Sequence, residues 1–372
     1  MRIFHVTSHL DVGGVTSSVL SLSSELARRG HHVTIASGGG SLEPQALALS
    51  LQHWRVPLRT SQEFRPGVFA ATRTLAARLV KEPVDVLHGH TRVGQVVACR
   101  PSRRLRLPYV TTWHGFFRPT LGRRLWPCTG DATIAISDPV RRHLIDTFRV
   151  PAERVHLIPH GIDAAPFEAP VAPAEQDRLR QTLGLGRGVP VVGTVARLVA
   201  SKGVDHLVRS FRRVRSELPA AQLVIVGDGE QRAHLERLAQ EQDLGGAVRF
   251  AGTLPETRVA LSLMDAFVFL PADREGFGLS LLEAMAGAKP IVAVRQGGGA
   301  PWVLEQSGVG TLVEPGDGPA LASAITRLLR DRNTARREGE RGRAVVKERY
   351  SLSRMVSEVE ALYGQVLRHT RA

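Results

Sequence analysis

Asp273-Arg274-Glu275-Gly276-Phe277-Gly278-Leu279-Ser280-Leu281-Leu282-Glu283-Ala284-Met285-Ala286 is the stretch on which the reading of this chain turns. The apolar run before it, 266–270, reads as a buried parallel strand, and the spacing of Leu279, Leu282 and Ala286 reads as the helix that follows. Gly276 and Gly278 therefore fall at a strand-to-helix turn. Without a Cβ the backbone there can approach a ligand, and the free N–H groups of the helix's first turn carry a partial positive charge suited to a phosphate. Glu275 and Glu283 bracket the turn, and a carboxylate accepts hydrogen bonds from sugar hydroxyls in pairs. A sugar joined to a diphosphate fits that arrangement. The same features also have a purely structural use, because a first-turn glutamate complements the helix dipole and glycines close loops. The rest of the chain has to decide.

Upstream, 189–195 reads as a strand, and Arg197 and Lys202 flank the loop that leads from it into a helix over 204–218. Two cations five residues apart at one strand-to-helix junction are placed to neutralise a diphosphate. The only lysines are Lys81, Lys202, Lys289 and Lys347, so a lysine here points to a compact point charge; a solvated helix-entry residue is the structural alternative. Further strands at 223–226, 248–251, 266–270 and 291–294, with helices between, complete a βαβ series. Val226-Gly227-Asp228-Gly229 reads either as a phosphate loop or as a tight turn, and Gln296 to Pro301 is another Gly-rich strand end.

The first half repeats the pattern. A strand over 3–8 leads through His9-Leu10-Asp11-Val12-Gly13-Gly14-Val15 into a helix ending at Arg28-Arg29 with Gly30 as its cap, then a strand over 32–36. The loop lacks G-x-G-x-x-G and no acidic residue ends the second strand, which argues against a nicotinamide cofactor. Strand-like runs recur at 84–87, 109–112, 132–136 and 155–158, with helical patterns such as 68–80 and 139–148, giving a doubly wound parallel sheet. Several strands end in polar residues: His88-Gly89-His90, Trp113-His114-Gly115, Ser137-Asp138 and Pro159-His160-Gly161. Any one such histidine is usually a hydrogen-bonded loop residue, but four such ends in one sheet point to a lined cleft. His114 is the candidate among them.

A chain of 372 residues, 43% apolar, exceeds what one core usually supports. The expected division is a domain over 1–163, an Ala- and Pro-rich linker over 164–186, a second domain over 187–350 and a terminal helix over 351–372 crossing back to the first. No apolar run approaches the ~20 residues of a membrane span, and the chain starts directly as a strand, so a cytoplasmic protein without a signal peptide is expected. Cys99 and Cys128 have no metal-ligand spacing and read as small core residues. The net charge is +14, of which residues 1–163 supply +10 (21 basic against 11 acidic). Arg100, Arg103, Arg104, Arg106, Arg118, Arg123 and Arg124 suit an anionic membrane surface or an acidic acceptor, or are simply solvated. Nucleic acid is not expected, because aromatics are 5% and not interleaved with the basic residues.

In this order the motifs resemble glycosyltransferase family 4, retaining sugar-nucleotide transferases of the GT-B architecture, over nearly the whole chain. The segments that carry the resemblance are Gly193-Thr194-Val195-Ala196-Arg197 with Lys202-Gly203, Val226-Gly227-Asp228-Gly229, and Glu275-Gly276-Phe277-Gly278 with Glu283-Ala284-Met285. The implied fold is two Rossmann-like, doubly wound parallel-sheet domains facing a central cleft. The resemblance implies that Arg197 and Lys202 bind the donor diphosphate, Glu283 the ribose, and Glu275 with the backbone of Gly276, Phe277 and Gly278 the donor sugar. It implies that Gly14 lets its loop close on the phosphates and that His114 lies near the transferred sugar. The Gly298-Gly299 loop matches only in part: a glutamate commonly follows the glycine pair by three residues, where this chain has Trp302. The implied activity is transfer from a nucleotide-sugar, UDP being the commoner donor, to a glycan or lipid-linked acceptor in cell-surface polysaccharide synthesis. No D-x-D motif ends a strand, and neither metal nor cofactor is expected. A sugar-nucleotide epimerase or hydrolase of the same fold, or a binding protein without turnover, remains open.

Overall fold

The structure is a computed structural model that describes residues 1–63, 65–271, 275–296 and 298–371. Asp273, Arg274 and Gly297 of the motifs above lie outside the described residues. The chain divides into two compact units, residues 1–161 with the C-terminal helix Leu352–Arg371, and residues 162–351.

The first unit holds seven parallel strands: β1 (Arg2–Val6), β2 (His32–Ser37), β3 (Gln52–Arg55), β4 (Val86–Gly89), β5 (Tyr109–Trp113), β6 (Ala132–Ala135) and β7 (Val155–Leu157). Their order is β3-β2-β1-β4-β5-β6-β7. Strands such as β4 and β6 are buried along their whole length, as expected where helices cover both faces of a parallel sheet. One face packs on the helices Gly14–Arg28 and Leu352–Arg371, where Tyr363 is fully buried; the other packs on Pro66–Lys81 and Arg92–Leu105. Cys99 and Cys128 are buried in that second layer, and the neighbouring Cys128 thiol lowers the pKa of the Cys99 thiol.

The second unit holds β8 (Val191–Val195), β9 (Gln222–Val226), β10 (Val248–Gly252), β11 (Ala266–Phe269), β12 (Ile291–Val294) and β13 (Thr311–Val313), all parallel, in the order β10-β9-β8-β11-β12-β13. In both sheets the order reverses beside the first strand of the unit, at β1/β4 and at β8/β11. Open α/β sheets bind ligands outside the strand carboxyl ends at that point.

Two edge strands escape the sequence pattern. β3 is polar and half exposed, and β13 has three residues, so neither carries the apolar run that marks a central strand. The segment 164–186, expected as a linker, instead carries the helices Ala165–Glu168 and Pro173–Leu183 and belongs to the second unit, held there in part by the Arg258 to Glu175 ion pair at 3.2 Å. Alanine and proline in the first turn are compatible with a helix start, which is why composition misled here.

Candidate active site

In the second unit the site is built on backbone-to-backbone contacts that only glycine permits. A Cβ on Gly227, where φ is +126°, would lie 1.9 Å from the Ala196 carbonyl oxygen, and one on Gly229 would lie 2.4 Å from that of Leu198. The Leu198 N–H donates to the Asp228 carbonyl at 2.9 Å and the Gln231 N–H to the Leu198 carbonyl at 2.8 Å. Gly227-Asp228-Gly229 is therefore a clamp that fixes the loop carrying Arg197. The guanidinium of Arg197 is exposed and pairs with no acidic side chain among the described residues.

A second clamp fixes the turn after β11. Cβ atoms on Gly298 and Gly299 would meet the carbonyl oxygens of Glu275 at 2.5 Å and Gly276 at 2.1 Å, and the Gly299 N–H donates to the Glu275 carbonyl at 2.8 Å. This glycine pair, matched only in part by the sequence pattern, is thus what holds Glu275 in place. Gly278 has φ +104° and no room for a side chain beside the Phe269 ring, so it turns the chain into the helix Leu279–Ala286. The N–H groups of that helix's first turn are the positive end of its dipole.

Two carboxylates flank this turn. Glu275 accepts a hydrogen bond from the Lys202 ammonium, joining the turn after β11 to the one after β8. Glu283, inside the helix, accepts from the Thr257 hydroxyl at 2.9 Å, and burial raises its pKa while that bond opposes the rise. Phe277 takes part in the turn through its backbone alone. Its side chain is buried and lies edge-on to Tyr350, so only its backbone faces the turn.

The first unit contributes a different arrangement at its own switch point. Gly14 is the exposed first residue of the helix Gly14–Arg28, and a side chain on Gly13 would meet nothing within 4 Å. His114, after β5, is partly exposed, and both its ring nitrogens are taken: Nε2 lies 3.2 Å from His90 Nδ1 and Nδ1 lies 3.2 Å from His160 Nε2. Burial, then the adjacent His160, holds its pKa well below the usual imidazole value. The flanking histidines were visible as strand-end polar residues, but their mutual bonding was not.

The Glyco_transf_4 family model, glycosyltransferase family 4, matches residues 12–165, and the "glycosyl transferases group 1" model matches residues 175–345. D-inositol 3-phosphate glycosyltransferase of Acidothermus cellulolyticus is 32% identical over 359 residues, covering 86% of this chain and 78% of that protein. The chain belongs to glycosyltransferase family 4.

N-acetyl-alpha-D-glucosaminyl L-malate synthase of Bacillus anthracis is 26% identical, with 98% of this chain and 97% of that protein covered. The Anabaena HepE structure in complex with UDP-glucose superposes on this glycosyltransferase with a TM-score of 0.86 at 21% identity, covering 98% of this chain and all of that one. The fold is GT-B. No described helix of the transferase is long and apolar enough to cross a membrane. A cavity of about 260 Å³ at the ends of β11–β13, bordered by His206 and Arg209, touches none of Arg197, Lys202, Glu275 or Glu283.

Proposed function

We propose that this glycosyltransferase is a retaining enzyme that moves a hexose from a UDP-sugar to a glycan or lipid-linked acceptor in cell-surface polysaccharide synthesis. The observation that carries the donor reading is the Lys202–Glu275 ion pair at the mouth of the helix Leu279–Ala286. It stores a cation and a sugar-binding carboxylate together beside a helix N-terminus. On donor binding Lys202 exchanges Glu275 for the diphosphate, and Glu275 turns to the sugar hydroxyls. Support for the donor class comes from HepE, whose structure holds UDP-glucose.

In the reaction the bond from the anomeric carbon to the diphosphate oxygen breaks, through an oxocarbenium-like state. Arg197, Lys202 and the helix N–H groups stabilise the charge that develops on the phosphate, a preorganised electrostatic effect worth about 3 kcal/mol per well-placed donor. The acceptor hydroxyl attacks the face that the leaving group vacates, and its proton passes to a phosphate oxygen, so configuration is retained. Two cations and a helix dipole serve where a metal would otherwise act, and the reading needs none. Glu283 holds the ribose, and His114 faces the transferred sugar.

The basic first unit suits peripheral binding at an anionic inner membrane face. Leu121, Leu125 and Trp126 are 74, 77 and 46% exposed beside the exposed Arg124, an apolar tip next to a cation, while Arg123 is paired with Glu63.

Incubation with a panel of radiolabelled UDP-, GDP- and ADP-sugars, with and without a lipid-extracted acceptor fraction, tests the assignment. Acceptor-dependent transfer supports it. Release of free sugar or of an epimer points to a hydrolase or epimerase, and binding without turnover sinks the enzymatic reading.

A further inference from the structure

The first unit carries a chain of imidazoles of which the transfer chemistry above uses only His114. His5 Nδ1 lies 2.7 Å from His90 Nε2, His90 Nδ1 lies 3.2 Å from His114 Nε2, and His114 Nδ1 lies 3.2 Å from His160 Nε2. The chain ends where His160 Nδ1 meets the Ser18 hydroxyl at 3.0 Å. Every link joins Nδ1 of one ring to Nε2 of the next. A neutral imidazole has a single proton, so it donates at one nitrogen and accepts at the other. That uniform order forces the same tautomer on all four rings.

The rings are neutral near pH 7. Burial lowers the pKa of His5 to about 3 and that of His160 to about 4, and holds His90 and His114 well below their ordinary value. The groups acting electrostatically on them are other imidazoles, His88 included. His5 Nε2 is buried without a partner among the described residues. Orphaned buried N–H groups are the rarest kind, so the His5 proton sits on Nδ1 and donates to His90. All four rings are then Nδ1–H, and the chain runs from His5 to Ser18.

We propose that His90 and His160 are positioning residues of the transfer reaction, holding His114 in the Nδ1–H form with Nε2 accepting from His90 and Nδ1 donating to His160. This rests on the reading that His114 faces the transferred sugar. A ring tied at both nitrogens does not rotate, so it presents one fixed edge at the carboxyl end of β5.

His5, His88 and His90 also offer nitrogens within 4.8 Å of one another, the spacing of a metal site. Both nitrogens of His88 are already engaged, by the Tyr363 hydroxyl at 2.6 Å and the Thr112 hydroxyl at 2.7 Å, and among the described residues no carboxylate acts on the cluster to offset a buried divalent charge. Hydrogen bonding accounts for the cluster without a cation.

Nitrogen-15 NMR of the imidazoles in the full-length protein at pH 7 tests the assignment. His5, His90, His114 and His160 are expected all to be Nδ1-protonated; a mixture of tautomers, or Nε2–H at His114, overturns it. So does binding of one equivalent of added zinc chloride at this cluster. His160→Leu, which removes the acceptor, is expected to lower kcat at least about tenfold with the donor KM within about twofold, while His160→Gln, which keeps an acceptor, restores most of the rate. Equal rates for the two variants, corrected for folded fraction, overturn the positioning role. If His114→Ala itself keeps full turnover while the tautomers are as stated, the reading of His114 fails and the hydrogen-bond assignment stands.

Discussion

The Lys202 ammonium donates to the Glu275 carboxylate across 73 residues of sequence, joining the turn after β8 to the turn after β11 at the switch point of the second sheet. The side chains are 19 and 27% exposed, so water screens the pair and its contribution to folding is about 1 kcal/mol or less. On the function proposed above, its role lies in donor binding rather than in folding.

Lys202→Ala and Glu275→Ala are each expected to lower kcat by roughly 10²–10³-fold with melting temperatures within a few degrees of the parent. The double variant is expected to lose less than the product of the single losses, because either single change already strands its partner. Steady-state kinetics and calorimetry on the three variants check this. Strictly multiplicative losses would show that the two residues act independently.

Gly299→Ala puts a methyl group against the Gly276 carbonyl, 2.1 Å from its oxygen, so one of the two backbones must move. A loss of roughly 2–4 kcal/mol in stability and weaker donor binding are expected together, since the same contact holds Glu275. Gly246→Ala, exposed and meeting nothing within 4 Å, serves as the control that leaves both unchanged. Urea melts and donor titration by calorimetry read the two effects.

The buried histidines make stability fall with acid. Their folded pKa values lie below the unfolded value of about 6.5, so between the two the unfolded chain binds more protons and stability rises with pH. The contribution is fully present above about pH 6.5 and is lost as pH falls towards the folded values, about 3 for His5 and about 4 for His160. Each fully buried histidine contributes a slope of up to about 1.4 kcal/mol per pH unit in that window. Urea unfolding at pH 7, 6 and 5 is expected to show a steep loss, and His5→Gln is expected to flatten it. A pH-independent midpoint over that range would contradict the neutral cluster.

Sedimentation with anionic liposomes is expected to be salt-sensitive and to fall on Leu125→Glu and on Arg124→Glu, while zwitterionic liposomes bind little. Equal sedimentation with both lipids would remove the membrane proposal.

Much of the second unit was legible in order. Arg197, Lys202, Glu275 and Glu283 stand out because charge and open backbone fall within a few residues of a strand-to-helix turn, and local spacing records that. The Gly227-Asp228-Gly229 turn and the Gly298-Gly299 pair were visible as glycines, but their partners, Ala196 to Leu198 and Glu275 to Gly276, are distant in sequence. Phe277 sits inside the motif yet packs on Tyr350, a choice made by the core.

By itself the sequence determined two parallel α/β sheets and the chemistry at their strand ends, because apolar runs, helical periodicity and glycine turns are local consequences of backbone sterics and burial. Only the tertiary structure decided which strand ends meet. The β2-β1-β4 order brings His5 beside His88, and the packing there joins His5, inside β1, to the three strand-end histidines His90, His114 and His160 in one hydrogen-bonded chain. Strand order is set by which faces bury the most apolar surface together, a property of the whole sheet that no short stretch records.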